Sequence, residues 1–482
     1  MAETTFDGPS AAPAEFQTGR VLTIAGGHFI HDIFSSFLAP LLPLIIAKLG
    51  LSLTLAGSLA SLQQLPGLIN PVLGVLADRG SLRWLAILSP TITAVTMSMI
   101  GIAPTYTVLV ILLLTTGFSS AFWHVPTPVM IARVSGRQVG QGMSFFMLGG
   151  ELARSVGPVI AVGAVSLWGL EGMWRLMPAG LVASAVIYWR LREVDTRPAH
   201  RANGAWAESW RELRRVLLPA IGIMLARGFM VAALTTFLPT FLVSEGANLK
   251  FAGGALSMLE LAGAVGVLTS GTASDRLGRR NVLGVILSVS PLLMLVLLAL
   301  RGWLMLPLLI VLGFTTLSTN PVLMALVQEY SRNHPATANG LFMASNFAGQ
   351  ALIIFLVGAA ADRWGLRATF QACAVIGFAG LPFVLMLPRM ATGDRPPTTD
   401  SRQRKCMADN EEHDALATLR LFLCHASGDK PAVRELYQRL CARRTRLLSA
   451  SRAVRSTRQA MSKSKSSLRW TWPTSSPRAR SF

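Results

Sequence analysis

The sequence predicts an all-α membrane protein with twelve transmembrane helices in two pseudo-symmetric halves of six. Three observations carry this prediction. Of 482 residues, 52% are hydrophobic and only 14% charged, whereas soluble domains carry about a quarter charged residues. Apolar runs of about 20 residues recur along the chain, each long enough to cross a hydrocarbon core of about 30 Å. Features of the first half also return in the second at a near-constant offset of 196 to 198 residues.

The apolar runs fall near 21–48, 52–77, 83–101, 105–131, 139–167, 172–191, 216–243, 251–274, 281–300, 303–328, 335–361 and 366–388. Lipid offers the backbone no hydrogen-bond partners, so runs of this length are read as helices. Residues 1–20 lack a basic start and a cleavage site, and are expected to stay as a cytoplasmic segment. Residues 21–191 form the first half, 192–215 a cytoplasmic linker with six arginines, and 216–389 the second half. With the N-terminus inside, the cytoplasmic connections hold 17 Lys and Arg and the outer connections six. This bias places both termini in the cytoplasm, in a bacterial-type inner membrane.

The repeat is specific. Gly74-Val-Leu-Ala-Asp78-Arg79 returns as Gly271-Thr-Ala-Ser-Asp275-Arg276, and Gly117-Phe as Gly313-Phe. His124 meets Asn320 at the same offset, and Gln141-Gly142 meets Asn339-Gly340. A parallel six-plus-six duplication places a substrate site between the halves at mid-membrane.

Net charge misleads as a single number. Residues 1–389 carry 25 Lys and Arg against 16 Asp and Glu, and residues 390–482 carry 19 against 8. The excess is concentrated in the tail, so a nucleic-acid-binding function for the whole chain is excluded. Four cysteines (Cys373, Cys406, Cys424 and Cys441) show neither a disulfide framework nor metal-ligand spacing. No nucleophile–base pair or phosphate loop is visible, so the chain does not read as an enzyme and no cofactor is expected.

The longest motif is Gly271-Thr-Ala-Ser-Asp275-Arg276-Leu-Gly278-Arg279-Arg280, between the eighth and ninth helices. Its glycine is expected to let a neighbouring helix approach, its aspartate to sit against a helix N-terminus, and its arginines to hold the cytoplasmic face. The first copy keeps Gly74, Asp78 and Arg79. A third version runs from Gly358 through Asp362 and Arg363 to Arg367.

These loops match the signature of the major facilitator superfamily, which the chain resembles. Within it, residues 20–390 look like the fosmidomycin-resistance exporters. The resemblance rests on His28-Phe-Ile-His31-Asp32, Leu41-Leu-Pro43, Asn70-Pro71-Val-Leu-Gly74, Phe122-Trp-His124-Val-Pro126, Gly149-Gly150 and Gly157-Pro158. The chain departs from that family's pattern at Val125, between His124 and Pro126. The resemblance implies proton-driven drug export and antibiotic resistance, powered by the proton gradient; a monomer without a cofactor is the expected working form. Uptake of an organic acid or sugar by proton symport is the alternative within the same fold.

Ionisable residues within spans cost at least about 2.5–3.5 kcal/mol each at a helix centre and so call for a role. His28, His31 and Asp32 share one helix face, and Asp32 is the expected coupling carboxylate; a local pair that only fixes packing is the competing reading. Glu151 and Arg154 stand at i and i+3, either as a self-neutralising pair or at the cavity. Arg227 has no acid on its own helix and needs a partner elsewhere or an anionic ligand. Glu260 occupies the place of Gln63 in the repeat, and is either a second protonation site or Arg227's partner. His124 and Asn320 are expected to face the cavity, with Gln63, and Pro126, Pro128 and Pro321 to bend their helices.

The tail differs in kind. Residues 418–441 resemble the opening strand and helix of a TIR domain, and a membrane-anchored signalling protein is the remote alternative function. Arg443 to Phe482 hold 11 basic residues, 10 serines and no acid, a composition that cannot bury a core.

Overall fold

A computed structural model describes residues 15–136, 138–194, 206–330 and 335–387, with side chains except at 77–79, 206–215, 328 and 335–340. The tail, its TIR-like stretch and most of the linker lie outside the described residues, as do the side chains of Asp78, Arg79 and Asn339.

The described residues are almost entirely helical. Ten stretches are long and apolar enough to span a membrane: α1 (Thr18–Leu49), α2 (Leu53–Leu76), α3 (Arg83–Ile102), α4 (Tyr106–Val134), α5 (Val139–Trp168), α7 (Val216–Ser244), α8 (Leu249–Leu277), α9 (Arg279–Ala299), α10 (Gly302–Val327) and Leu341–Met386. The last is two helices, α11 and α12, meeting at Gly365, whose φ of 79° is non-helical. With α6 (Met177–Leu191) the count among described residues is twelve. α6 is short, 15 residues, and is preceded by a 3-10 stretch, Glu171–Leu176. The helix leading into α7 begins at Trp206, inside the segment read from sequence as linker.

Local chemistry sets several boundaries. The side chains of Ser52, Thr105 and Asn248 accept from Leu55 N, Val108 N and Phe251 N, capping α2, α4 and α8. α4 breaks at Val125–Pro126, between Tyr106–His124 and Thr127–Val134. Proline there removes a backbone donor and clashes with the preceding turn. Bulky apolar side chains such as Val72, Val182, Val285, Val375 and Leu385 are more than half exposed. So much apolar surface is stable only where lipid covers it.

The two halves meet chiefly through α5 against α8 and α2 against α11, with α1 touching α7. The α2–α11 crossing is the tightest. A Cβ on Gly358 would stand 2.4 Å from Leu53 O and 3.2 Å from the Gly57 Cα. Beside it, Ser61 Oγ donates to Ala351 O at 2.6 Å. Asp362 lies one turn further on. It accepts from Leu53 N and Thr54 N, both at 2.7 Å, and from the Thr54 hydroxyl at 2.5 Å. A carboxylate on the first amides of a helix meets the positive end of its dipole.

The opposite end of the second half is tied by Arg279, which donates to Ser274 Oγ and Asp275 at 2.8 Å and to Glu329 at 2.5 Å. One expectation is corrected here. Among the described residues nothing lies within 4 Å of a Cβ placed on Gly271 or Gly74, so no described helix packs closely on either glycine. The close approach to α8 occurs one turn earlier, at Gly266 against Phe314 O, 2.4 Å from its virtual Cβ.

Candidate functional site

Four polar side chains from α1 and α4 converge in the first half. Their spacing on α1 puts His28, His31 and Asp32 on one face, and all three are buried. His31 Nδ1 donates to Asp32 Oδ1 at 2.8 Å, and His28 Nε2 stands 3.3 Å from Asp32 Oδ2. The break after His124 brings its ring alongside, with Nε2 3.2 Å from His28 Nε2 and 3.8 Å from Asp32 Oδ1. His28 stacks on Phe146 at 4.0 Å, and His31 on Trp123 at 5.6 Å. Ligand atoms of His28, Asp32 and His124 all lie within 4.8 Å of one another and are the described residues able to hold a metal ion. The cluster spans two helices, so no local spacing in the sequence could reveal it.

Gly150 on α5 makes room for the cluster. A Cβ there would sit 2.6 Å from His28 Cε1, 2.8 Å from its Nε2 and 3.2 Å from Asp32 Oδ2. Gly150→Ala is therefore expected to insert normally while pushing His28 off Asp32. Transport should fall by at least about tenfold, the equivalent of 1.4 kcal/mol, as measured by substrate flux at equal membrane abundance.

A second group bridges the halves. Arg154 on α5 pairs with Glu151 at 2.5 Å and faces Glu260 of α8 at 3.9 Å. Both carboxylates are nearly buried, with side-chain exposures of 6% and 11%. Two acids thus share one described cation.

The third feature is Arg227 on α7, only 4% exposed. It donates to Thr316 O at 2.9 Å and to Asn320 Oδ1 at 2.7 Å, and its Nε has no partner. Among the described residues no carboxylate lies within ion-pair distance. Glu260, one of the two partners considered from sequence, sits beside Arg154 instead, because α5 rather than α7 faces its side of α8. Gln63 donates to Ser35 O at 3.0 Å. Sequence reasoning missed Glu329 and the anchoring role of Asp362. It also missed that Arg227 lies 196 residues after His31, the same offset as His124 to Asn320. Each half therefore carries a polar pair on its first and fourth helices.

Electrostatics outside the spans are simpler. Lys48 donates to Glu171 at 2.9 Å, and this bond holds the Glu171 carboxyl below the usual range.

Twelve helices in two contacting halves, with buried charge where they meet, define a multi-pass membrane transporter. The chain belongs to the Major Facilitator Superfamily, which it matches over residues 24–334 and 246–456. It is similar to the fosmidomycin resistance protein of Escherichia coli (strain K12), at 23% identity over 389 residues, covering 79% of this chain and 95% of that one. Among solved structures it resembles a bacterial homologue of the human lysosomal transporter Spinster, inward-facing and occupied. The TM-score is 0.68 with 14% identity, over 80% of this chain and 99% of that one. It also resembles the nucleoside transporter NupG, with TM-score 0.62 and 17% identity, over 77% and 100%. These two likenesses concern the fold.

Proposed function

We propose that the protein is a proton-coupled exporter of small drug-like molecules, working by alternating access in a bacterial inner membrane with both termini in the cytoplasm. It works as a monomer, with the proton gradient as its energy source. The observation that carries this reading is the Glu151–Arg154–Glu260 group. Arg154 is committed to Glu151, so Glu260 is left 3.9 Å away with its charge incompletely met. A buried carboxylate in that position is costly as an anion and gains by taking a proton. It also lies where the halves meet, so its contact with Arg154 changes when they rock. The similarity to the fosmidomycin resistance protein supports the direction of transport. Asp32 is the second candidate for the coupling carboxylate, but it already accepts from His31 and faces two further imidazoles.

The test is substrate-induced proton movement in acidified everted vesicles, across phosphonate antibiotics and amphipathic drugs. Wild type is expected to release protons on addition of one compound. Glu260→Gln should abolish that release while still binding the compound. Retained proton release in Glu260→Gln would overturn the assignment; loss only in Asp32→Asn would move the coupling site to α1.

Arg227 favours an anionic cargo, which suits export of a phosphonate and uptake of an organic acid alike. A buried guanidinium without a carboxylate, one of its nitrogens free, can take an oxyanion. Arg227→Gln is expected to weaken binding of anionic compounds by at least about tenfold, or 1.4 kcal/mol. Arg227→Lys should recover part of that, and neutral compounds should be unaffected. Equal losses for neutral and anionic compounds would assign Arg227 to packing.

A further inference from the structure

The hydrogen bonds around His28 and His124 fix where their free lone pairs point. His28 Nδ1 lies 2.7 Å from Phe146 O, and His124 Nδ1 lies 2.9 Å from Ser120 O. A carbonyl oxygen only accepts, so each Nδ1 carries a hydrogen and donates it. In a neutral imidazole the lone pair is then on Nε2. These two Nε2 atoms face each other at 3.2 Å, with Asp32 Oδ2 3.3 Å from one of them. Two lone pairs and a carboxylate thus converge on one point, and a cation has to lie among them.

A proton is one such cation, but it fits poorly. It bridges two atoms, and three acceptors meet here. Charge-assisted hydrogen bonds also run at about 2.7–2.9 Å, shorter than the separations observed. A tetrahedral ion with bonds of about 2.05 Å holds its ligand atoms about 3.3 Å apart. The 3.2 and 3.3 Å separations match that edge, and the three ligand atoms all lie within 4.8 Å of one another. Metal-binding histidines characteristically send their other ring N–H to a backbone carbonyl or carboxylate, and both do so here. His31 donates to Asp32 Oδ1 and so orients the carboxylate with Oδ2 toward the centre.

We propose that His28, Asp32 and His124 form a binding site for a divalent transition-metal ion of the Zn2+ and Co2+ class. Two imidazoles and one carboxylate favour such ions over Mg2+ or Ca2+, which take oxygen ligands. The side chain of His124 is 37% exposed, so the fourth position opens to the cavity for water or an anionic group. All three ligands belong to the first half. The ion ties α1 to α4 and moves with that half, leaving the two halves free to rock.

The experiment uses the full chain, purified without a histidine tag. His200, His334, His413 and His425 are changed to Ala and the tail cysteines to Ser, so that other ligands cannot contribute. Titration with Co2+ is read by visible absorption. One equivalent with the intense bands of four-coordinate Co2+, bleached by Zn2+, is expected. His31→Ala should weaken binding by about 10–100-fold. His28→Ala and His124→Gln should weaken it by more than that. Zn2+ should also raise the melting temperature of the protein with an unaltered cluster, since a ligand that binds only the folded state stabilises it. This last reading holds even if a cluster variant fails to fold. Absence of both the bands and the thermal shift would overturn the site and leave a proton in the gap. Bands that persist in folded His28→Ala or His124→Gln protein would overturn it too.

Discussion

Arg154→Gln is expected to lower thermal stability strongly and to stop transport. The substitution removes the cation shared by Glu151 and Glu260, leaving two nearly buried carboxylates facing each other across the halves. Breaking a buried ion pair by removing one partner costs about 3–5 kcal/mol. The Arg154 side chain is 45% exposed, so solvent screening places the loss toward the low end of that range. Adding Glu151→Gln to Arg154→Gln should restore most of the stability, because the one remaining acid can take up a proton. It should not restore proton-driven transport, since the group whose contacts change between conformations is gone. Melting curves of the detergent-solubilised single and double variants check the first part. If the double variant is no more stable than the single one, the shared-cation account fails.

Gly358→Ala is expected to shift the conformational balance rather than stability. Its new methyl would press on Leu53 O and the Gly57 Cα, both of them backbone, so no side chain can swing aside. Overpacking of this kind costs about 1–3 kcal/mol, and 1.4 kcal/mol is about tenfold in an equilibrium. The cost is relieved when α2 and α11 separate, so the state open at that end gains. With a cysteine at Ser61, beside the crossing, labelling by an impermeant maleimide should rise by about tenfold on adding Gly358→Ala. No change in labelling would mean that α2 and α11 stay together throughout the cycle.

The bundle itself was legible in the sequence because lipid imposes a simple rule: a run must be long, apolar and helical. The rule held at α6, although a 3-10 stretch takes its first turns, and at Gly365, where the chain turns between the two last apolar runs. In the site, what lies on one helix could be read directly. His28, His31 and Asp32 follow from their spacing, as does the Glu151–Arg154 pair. Contacts between helices could not be read this way. Glu260 and Arg227 are both charges without a partner on their own helices, and sequence alone left open whether they meet. Packing of α8 against α5 gives Glu260 to Arg154, and Asn320 comes to Arg227 from α10. The offset of 196 residues that links His124 to Asn320 also links His31 to Arg227, and is the signal that could have paired Arg227 with Asn320 in advance.

Half of the anchor of Asp362 on α2 is main chain. Two of its bonds come from the amides of Leu53 and Thr54, which every residue except proline supplies, and the Thr54 and Ser52 hydroxyls add to them. The α2 side of this clasp therefore keeps its two main-chain bonds whatever its side chains, while the α11 side hangs on one carboxylate. Position 53 is also the first residue of its helix, where proline is well tolerated. A proline there would delete one strand of the clasp without unwinding α2, so the hold between the halves can be loosened by steps through backbone chemistry alone.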